Sequence, residues 1–124
     1  MAVTVTQHSD FSAELRWTRL DDRHGHLTHT VASGELAHAL QALTDEFGGG
    51  YGSQTSEETA LAAAAHTTRL ARALEARAAV LVVHLRDEHQ LSWRKIAEVV
   101  HGDPAKQSTV RRQYDAGRRH LDGG

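Results

Sequence analysis

Residues 91–121 read LSWRKIAEVVHGDPAKQSTVRRQYDAGRRHL, an order that two short helices joined by a tight corner explain. Ser92 can cap free backbone N–H groups, and Trp93, Ile96, Ala97, Val99 and Val100 follow it. Ile96 and Val100 stand one helical turn apart and share a face that can be buried. Gly102 reaches the left-handed conformation without steric penalty and stops the first helix. Asp103 fits the N-cap of a second helix, and Pro104 fits its first turn, where no N–H is needed. Val110, Tyr114, Gly117 and Leu121 then recur at spacings of four, three and four, giving one apolar stripe.

Turning about 100° per residue from Val110, the opposite face carries Ala105, Ser108, Arg112, Asp115 and Arg119, with Thr109, Arg111 and Arg118 on its flanks. Between residues 104 and 121, Lys106, Arg111, Arg112, Arg118 and Arg119 face one acid, Asp115. That excess fits a helix-turn-helix whose second helix enters the major groove while neighbouring cations neutralise phosphates. Ala105, Lys106, Ser108, Thr109 and Arg112 are the residues expected near bases, and Arg111, Arg118 and Arg119 those expected on the phosphate backbone. A competing reading uses the same residues. Arg111 and Arg119 each stand four positions from Asp115, so intrahelical pairs on a solvated face also account for part of the charge.

The run SWRKIAEVV, a corner, and QSTVRRQYDAGRRHL together resemble the helix-turn-helix of sigma-70 region 4 and of small actinobacterial regulators that reuse it. Those proteins show a hydroxyl cap, a W-x-x-I-A run, a short turn and a T-V-R-R recognition helix, with a supporting helix that corresponds here to Leu74–Gln90. The resemblance covers residues 74–121. Its corner, HGDPAK, is longer than the usual glycine-centred turn, and no counterpart of region 2 precedes it. What the resemblance implies is sequence-specific binding of double-stranded DNA rather than a working sigma factor. Lys106, Ser108, Thr109, Arg111 and Arg112 match the usual contact positions.

With 124 residues and 13.6 kDa, the chain has room for one substantial core. Formal net charge is -2, but it is unevenly placed. Residues 1–60 hold Arg16, Arg19 and Arg23 against Asp10, Glu14, Asp21, Asp22, Glu35, Asp45, Glu46, Glu57 and Glu58. Residues 92–124 reverse the balance, which points to different roles for the two ends. Cysteine is absent, so disulfides and thiolate zinc sites are excluded, which fits the expected cytoplasmic location. No apolar run approaches the roughly 20 residues that span a membrane.

Nearer the N-terminus, residues 2–7 alternate Val3 and Val5 with threonines, a short strand pattern. Phe11, Ala13, Leu15 and Trp17 alternate with Ser12, Glu14, Arg16 and Thr18, the period of a half-buried strand. Leu27, His29 and Val31 alternate again after a turn-like Asp21–Gly25. The expectation is an antiparallel hairpin of residues 11–18 with 26–31, widened to three strands if 2–7 joins. Ser33 can cap a helix in which Leu36, Leu40, Leu43 and Phe47 recur at helical spacing. Gly48–Ser53 is a linker, and no Lys-Ser/Thr follows at the spacing of a phosphate-binding loop.

Residues 56–90 contain neither Pro nor Gly and are rich in strong helix formers. One helix about 50 Å long, capped by Ser56, or two helices bent near 71–76, both fit. Leu70, Leu74, Leu81 and Leu85 form a seam along it that suits packing on the helix-turn-helix, on the N-terminal helix or on a twin subunit.

Of ten histidines, His24, His26 and His29 lie closest together, without a carboxylate or cysteine at ligand spacing, so no metal is expected. No nucleophile elbow or paired carboxylates point to catalysis, so no enzyme, catalytic residue or cofactor is expected. These readings combine into an α+β, mostly α protein. Residues 1–47 form a hairpin and helix for dimerisation or partner binding, 48–55 a glycine-rich linker, and 56–124 a helical DNA-binding unit with its helix-turn-helix at 91–121. The expected function is that of a transcriptional regulator binding double-stranded DNA as a homodimer. Two alternatives remain open: an interaction module that binds RNA polymerase or another regulator, and a small-molecule sensor built on the N-terminal unit.

Overall fold

The computed structural model describes residues 2–44 and 56–123. It is an α+β fold, mostly helical, with one N-terminal antiparallel hairpin. Along the chain come β1 (Thr4–Ser9), β2 (Ser12–Arg16), α1 (His26–Ala32), α2 (Glu35–Gln41), α3 (Glu57–Asp87), α4 (Trp93–Val100) and α5 (Gln107–Asp122). Contacts divide it into two compact units, residues 1–67 and 68–124. The expected anchor Phe47 and the glycine-rich stretch 48–55 lie outside the described residues.

In the first unit the hairpin is not the pairing expected from residues 11–18 with 26–31. Residues 4–9, which overlap the 2–7 stretch expected only as an extra strand, are the partner of β2, with Val5 opposite Leu15 and Thr6 opposite Glu14. Four residues make the reversal. The Ser9 and Ser12 hydroxyls lie 2.7 Å apart, and the Phe11 N–H donates to Ser9 Oγ at 3.3 Å. Phe11 consequently stands at the tip, 99% exposed.

Residues 26–31 are helical because Asp22 organises them. Its Oδ1 accepts the Leu27 N–H at 3.0 Å, and its Oδ2 accepts the Thr28 N–H at 2.8 Å and the Thr28 hydroxyl at 2.7 Å. Three donors at the start of α1 are thus satisfied by one carboxylate four residues upstream of the helix. The same bonds, the Thr28 amide foremost, hold Asp22 below the usual carboxylate range. Gly25, at φ 74°, makes the backbone turn into α1 that a side chain would resist. Of the three clustered histidines, His24 therefore lies in the turn and His26 opens α1, which also carries His29. Ser33 is not the N-cap residue of α2, which is Gly34, but its Oγ accepts the Glu35 N–H at 3.4 Å; Ser33 is also the C-cap of α1 and its hydroxyl lies 3.3 Å from the Thr30 carbonyl.

α3 is one helix through residues 71–76, without the alternative bend, and Ser56 Oγ accepts the Thr59 N–H at its start. Its last turn closes by a bond from Leu91 N to Leu85 O at 3.1 Å, with Gln90 at φ 55°.

The second unit holds the larger core. Val82, Ile96, Ala97 and Val110 are buried together, covered by Leu85, Leu91, Trp93 and Tyr114. The expected leucine seam is split: Leu85 joins this core, whereas Leu74 and Leu81 are exposed. No helix among the described residues is long and apolar enough to cross a membrane.

Candidate nucleic-acid interface

α4 begins where its cap dictates: Ser92 Oγ accepts the Lys95 N–H at 3.1 Å, freeing Trp93 to turn inward and Ile96 and Ala97 to be fully buried. Arg94 and Lys95 are left exposed on the first turn. Gly102, at φ 70°, ends α4, and the Ala97 carbonyl accepts both the His101 and Asp103 N–H groups. His101 does not face outward alone, because its Nε2 lies 3.0 Å from Gln113 Oε1 and ties the corner to α5.

Pro104 does not open α5. Asp103 Oδ1 accepts the Ala105 N–H at 2.9 Å, and the Asp103 carbonyl accepts the Lys106 N–H at 3.0 Å. These bonds make Asp103–Lys106 a turn of its own, and the helix begins at Gln107 with Lys106 at the N-cap. Ala105 and Lys106 are exposed in that turn, before the helix.

α5 is anchored by Val110 and Gly117, both buried. A Cβ on Gly117 would overlap the Ala79 carbonyl and come within 2.7 Å of Val83 Cγ2, so only glycine allows the two backbones to lie this close. Tyr114 adds a polar tether: its hydroxyl donates to Asp87 Oδ1 at 2.7 Å, which raises the phenol above its ordinary range.

The outward residues fall into three groups. Ser108, Arg112 and Arg119 are exposed, and among the described residues neither arginine forms an ion pair with a carboxylate, Asp115 included. Thr109 is half-buried. Arg111 and Arg118 are drawn back onto the protein. The Arg111 guanidinium lies 5.3 Å from the Trp93 ring, whose surroundings also include Arg86 at 4.4 Å and the Tyr114 ring, edge-on, at 5.3 Å. Arg118 pairs with Asp87 at 3.6 Å and Asp122 at 3.5 Å.

The face thus gathers Lys106, Ser108 and Arg112 on the turn and leading half of α5, with Arg119 further along it. Arg94 and Lys95 were not among the expected contact residues. The Ser92 cap leaves both on the first turn of α4, the position that crosses the phosphate backbone in a DNA-binding helix-turn-helix. Among the described residues no three His, Asp or Glu side chains gather as a metal set. Comparison with family models, curated proteins and solved structures finds no match.

Proposed function

We propose that this chain binds double-stranded DNA sequence-specifically as a transcriptional regulator, with α5 as its recognition helix. The observation that carries this reading is the division of labour within α5. Val110 and Gly117 fix one side of the helix on the core, while Ser108, Arg112 and Arg119 face solvent without a carboxylate partner among the described residues. An arginine held outward on a rigid helix can present a planar fork to the major-groove edge of guanine. Lys106, expected near bases but standing in the turn before α5, is reassigned to phosphate together with Arg94 and Lys95, and backbone N–H groups at the start of α5 add to that attraction. Recognition as a homodimer follows from how few base pairs one helix reads, and the exposed Leu74 and Leu81 are the contact we assign to the second copy.

Selection of bound duplexes from a random pool, followed by a gel shift over a salt series, tests this. A defined consensus with affinity falling steeply as salt rises supports the proposal. No enriched sequence, or salt-independent retention, overturns it.

A second reading is favoured by Arg111 and Arg118, whose charges are engaged by Trp93, Asp87 and Asp122. With part of its charge used in the fold, the motif would serve as an interaction module for RNA polymerase or another regulator. Retention of polymerase by a chain that selects no DNA would favour it.

A further inference from the structure

The acidic N-terminal unit contains a cationic cleft. Its volume is about 560 Å³, and its walls include Trp17, Arg19, Arg23, His24, His29 and Ala32. The loop between β2 and α1 that forms one wall is held by successive turns, with Asp21 N on Thr18 O, Asp22 N on Arg19 O and Gly25 N on Asp22 O. The neighbouring acids face into the chain. Asp21 Oδ2 accepts the Thr18 N–H and hydroxyl, and both oxygens of Asp22 are taken up by Leu27 and Thr28. Trp17 is fixed by its indole N–H, which donates to Thr28 Oγ1 at 3.1 Å.

Arg19 and Arg23 are left at the cleft with no ion pair among the described residues, although acids adjoin them in sequence. We propose that this cleft binds a small organic anion: a carboxylate or phosphate group between Arg19 and Arg23, with a planar apolar body resting against Trp17 and Ala32. Guanidinium groups suit such anions because their paired N–H donors match two oxygens at once. The indole and the alanine methyl supply the apolar wall that small-molecule sites combine with a few polar groups. Asp22, the acid that also lines the cleft, directs its oxygens to three donors and forms no ion pair with either arginine among the described residues. This proposal stands independently of whether α5 binds DNA.

The test is amide and indole NMR on the full chain titrated with phenyl phosphate, benzoate, inorganic phosphate and neutral benzyl alcohol. Saturable shifts at the Trp17 indole, Arg23, Gly25 and Thr28 are expected with the two aromatic anions, and much weaker ones with benzyl alcohol. Comparing phenyl phosphate with benzoate identifies the preferred head group, and inorganic phosphate reports what the aromatic body adds. The double change Arg19→Ala with Arg23→Ala should weaken binding about tenfold or more, with its far-ultraviolet circular dichroism unchanged. Since both side chains are exposed, an independent check is Trp17→Leu, which should weaken the aromatic anions but not inorganic phosphate. Shifts that fail to saturate, unchanged affinity in the double variant, or responses at these residues to a short DNA duplex but not to phenyl phosphate overturn the proposal.

Discussion

Gly117 lies so close to the Ala79 carbonyl that no side chain can stand between α5 and α3 at their crossing. Gly117→Ala should therefore destabilise the second unit although alanine is the better helix former. Overpacking costs about 1–3 kcal/mol, and the propensity gain of roughly 1 kcal/mol offsets only part of it. A net loss of up to about 2 kcal/mol in urea denaturation is expected, together with, on the proposed function, weaker DNA retention because α5 is displaced. An unchanged midpoint would mean that the crossing relaxes freely.

Gln90 adopts φ 55° at the end of α3, a conformation glycine takes without steric penalty. Gln90→Gly should raise stability by about 1 kcal/mol, since the change removes that penalty and leaves the bond from Leu91 N to Leu85 O in place. The reciprocal substitution, Gly102→Ala at φ 70°, should lower it by a similar amount. Chemical denaturation of both variants checks the pair, and equal midpoints in all three proteins would refute the argument.

Tyr114 gives the second unit an alkaline limit. Its folded pKa is raised, first by the hydrogen bond to Asp87, while an unfolded tyrosine ionises near 10. The phenol's contribution is thus full below about pH 10 and lost as pH rises through the higher folded value. Tyr114→Phe should lower the melting temperature at pH 8. The gap between the two proteins should narrow as pH passes 10, and a gap that stays constant would show that the phenol proton does not matter.

Asp22 sets the opposite limit in the first unit. Its folded pKa is lowered, chiefly by the Thr28 amide, so its contribution is present above the ordinary value of about 3.9 and lost as pH falls through the folded value. Asp22→Ala should remove helical signal from residues 26–32 at neutral pH. Retention of α1 chemical shifts in that variant would contradict the role given to this carboxylate.

Arg112 and Arg118 differ in what holds them, and DNA binding should separate them. Arg112→Ala should weaken binding to the selected duplex by about tenfold and relax base choice at one position. Arg118→Ala removes a side chain already paired with Asp87 and Asp122, so base choice should be unaffected. Equal effects on base choice would sink the assignment of α5 as the reading element.

The second unit was legible in the sequence because its signals are local. The Ser92 cap, the Gly102 stop and the Val110, Tyr114, Gly117 spacing each act within a few residues and appear where expected, whereas Leu121 at the end of the stripe and Val100 beside Ile96 stay exposed. Pro104 misled because Asp103 caps its own short turn, so α5 starts only at Gln107. In the first unit Leu27, His29 and Val31 alternate as in a strand, yet residues 26–32 are helical. Their start depends on Asp22, which lies upstream of the helix rather than at its cap. The choice of partner for β2 was equally hidden: residues 11–18 alternate clearly, but a four-residue reversal stapled by two serines carries little sequence signature. Side-chain diversion is the least readable layer. Nothing in the order of residues announces that Arg111 faces Trp93 or that Arg118 reaches back to Asp87.

The distribution of buried side chains carries its own thermal consequence. Among the described residues, Ala63 is the one buried apolar side chain in the first unit, while Ala79, Val82, Val83, Ile96, Ala97 and Val110 all belong to the second. A region that releases little hydrocarbon to solvent unfolds with a small heat-capacity increment and a broad transition. Calorimetry should accordingly resolve two events, a shallow early one from the hairpin half and a sharper later one from the helices that carry α5.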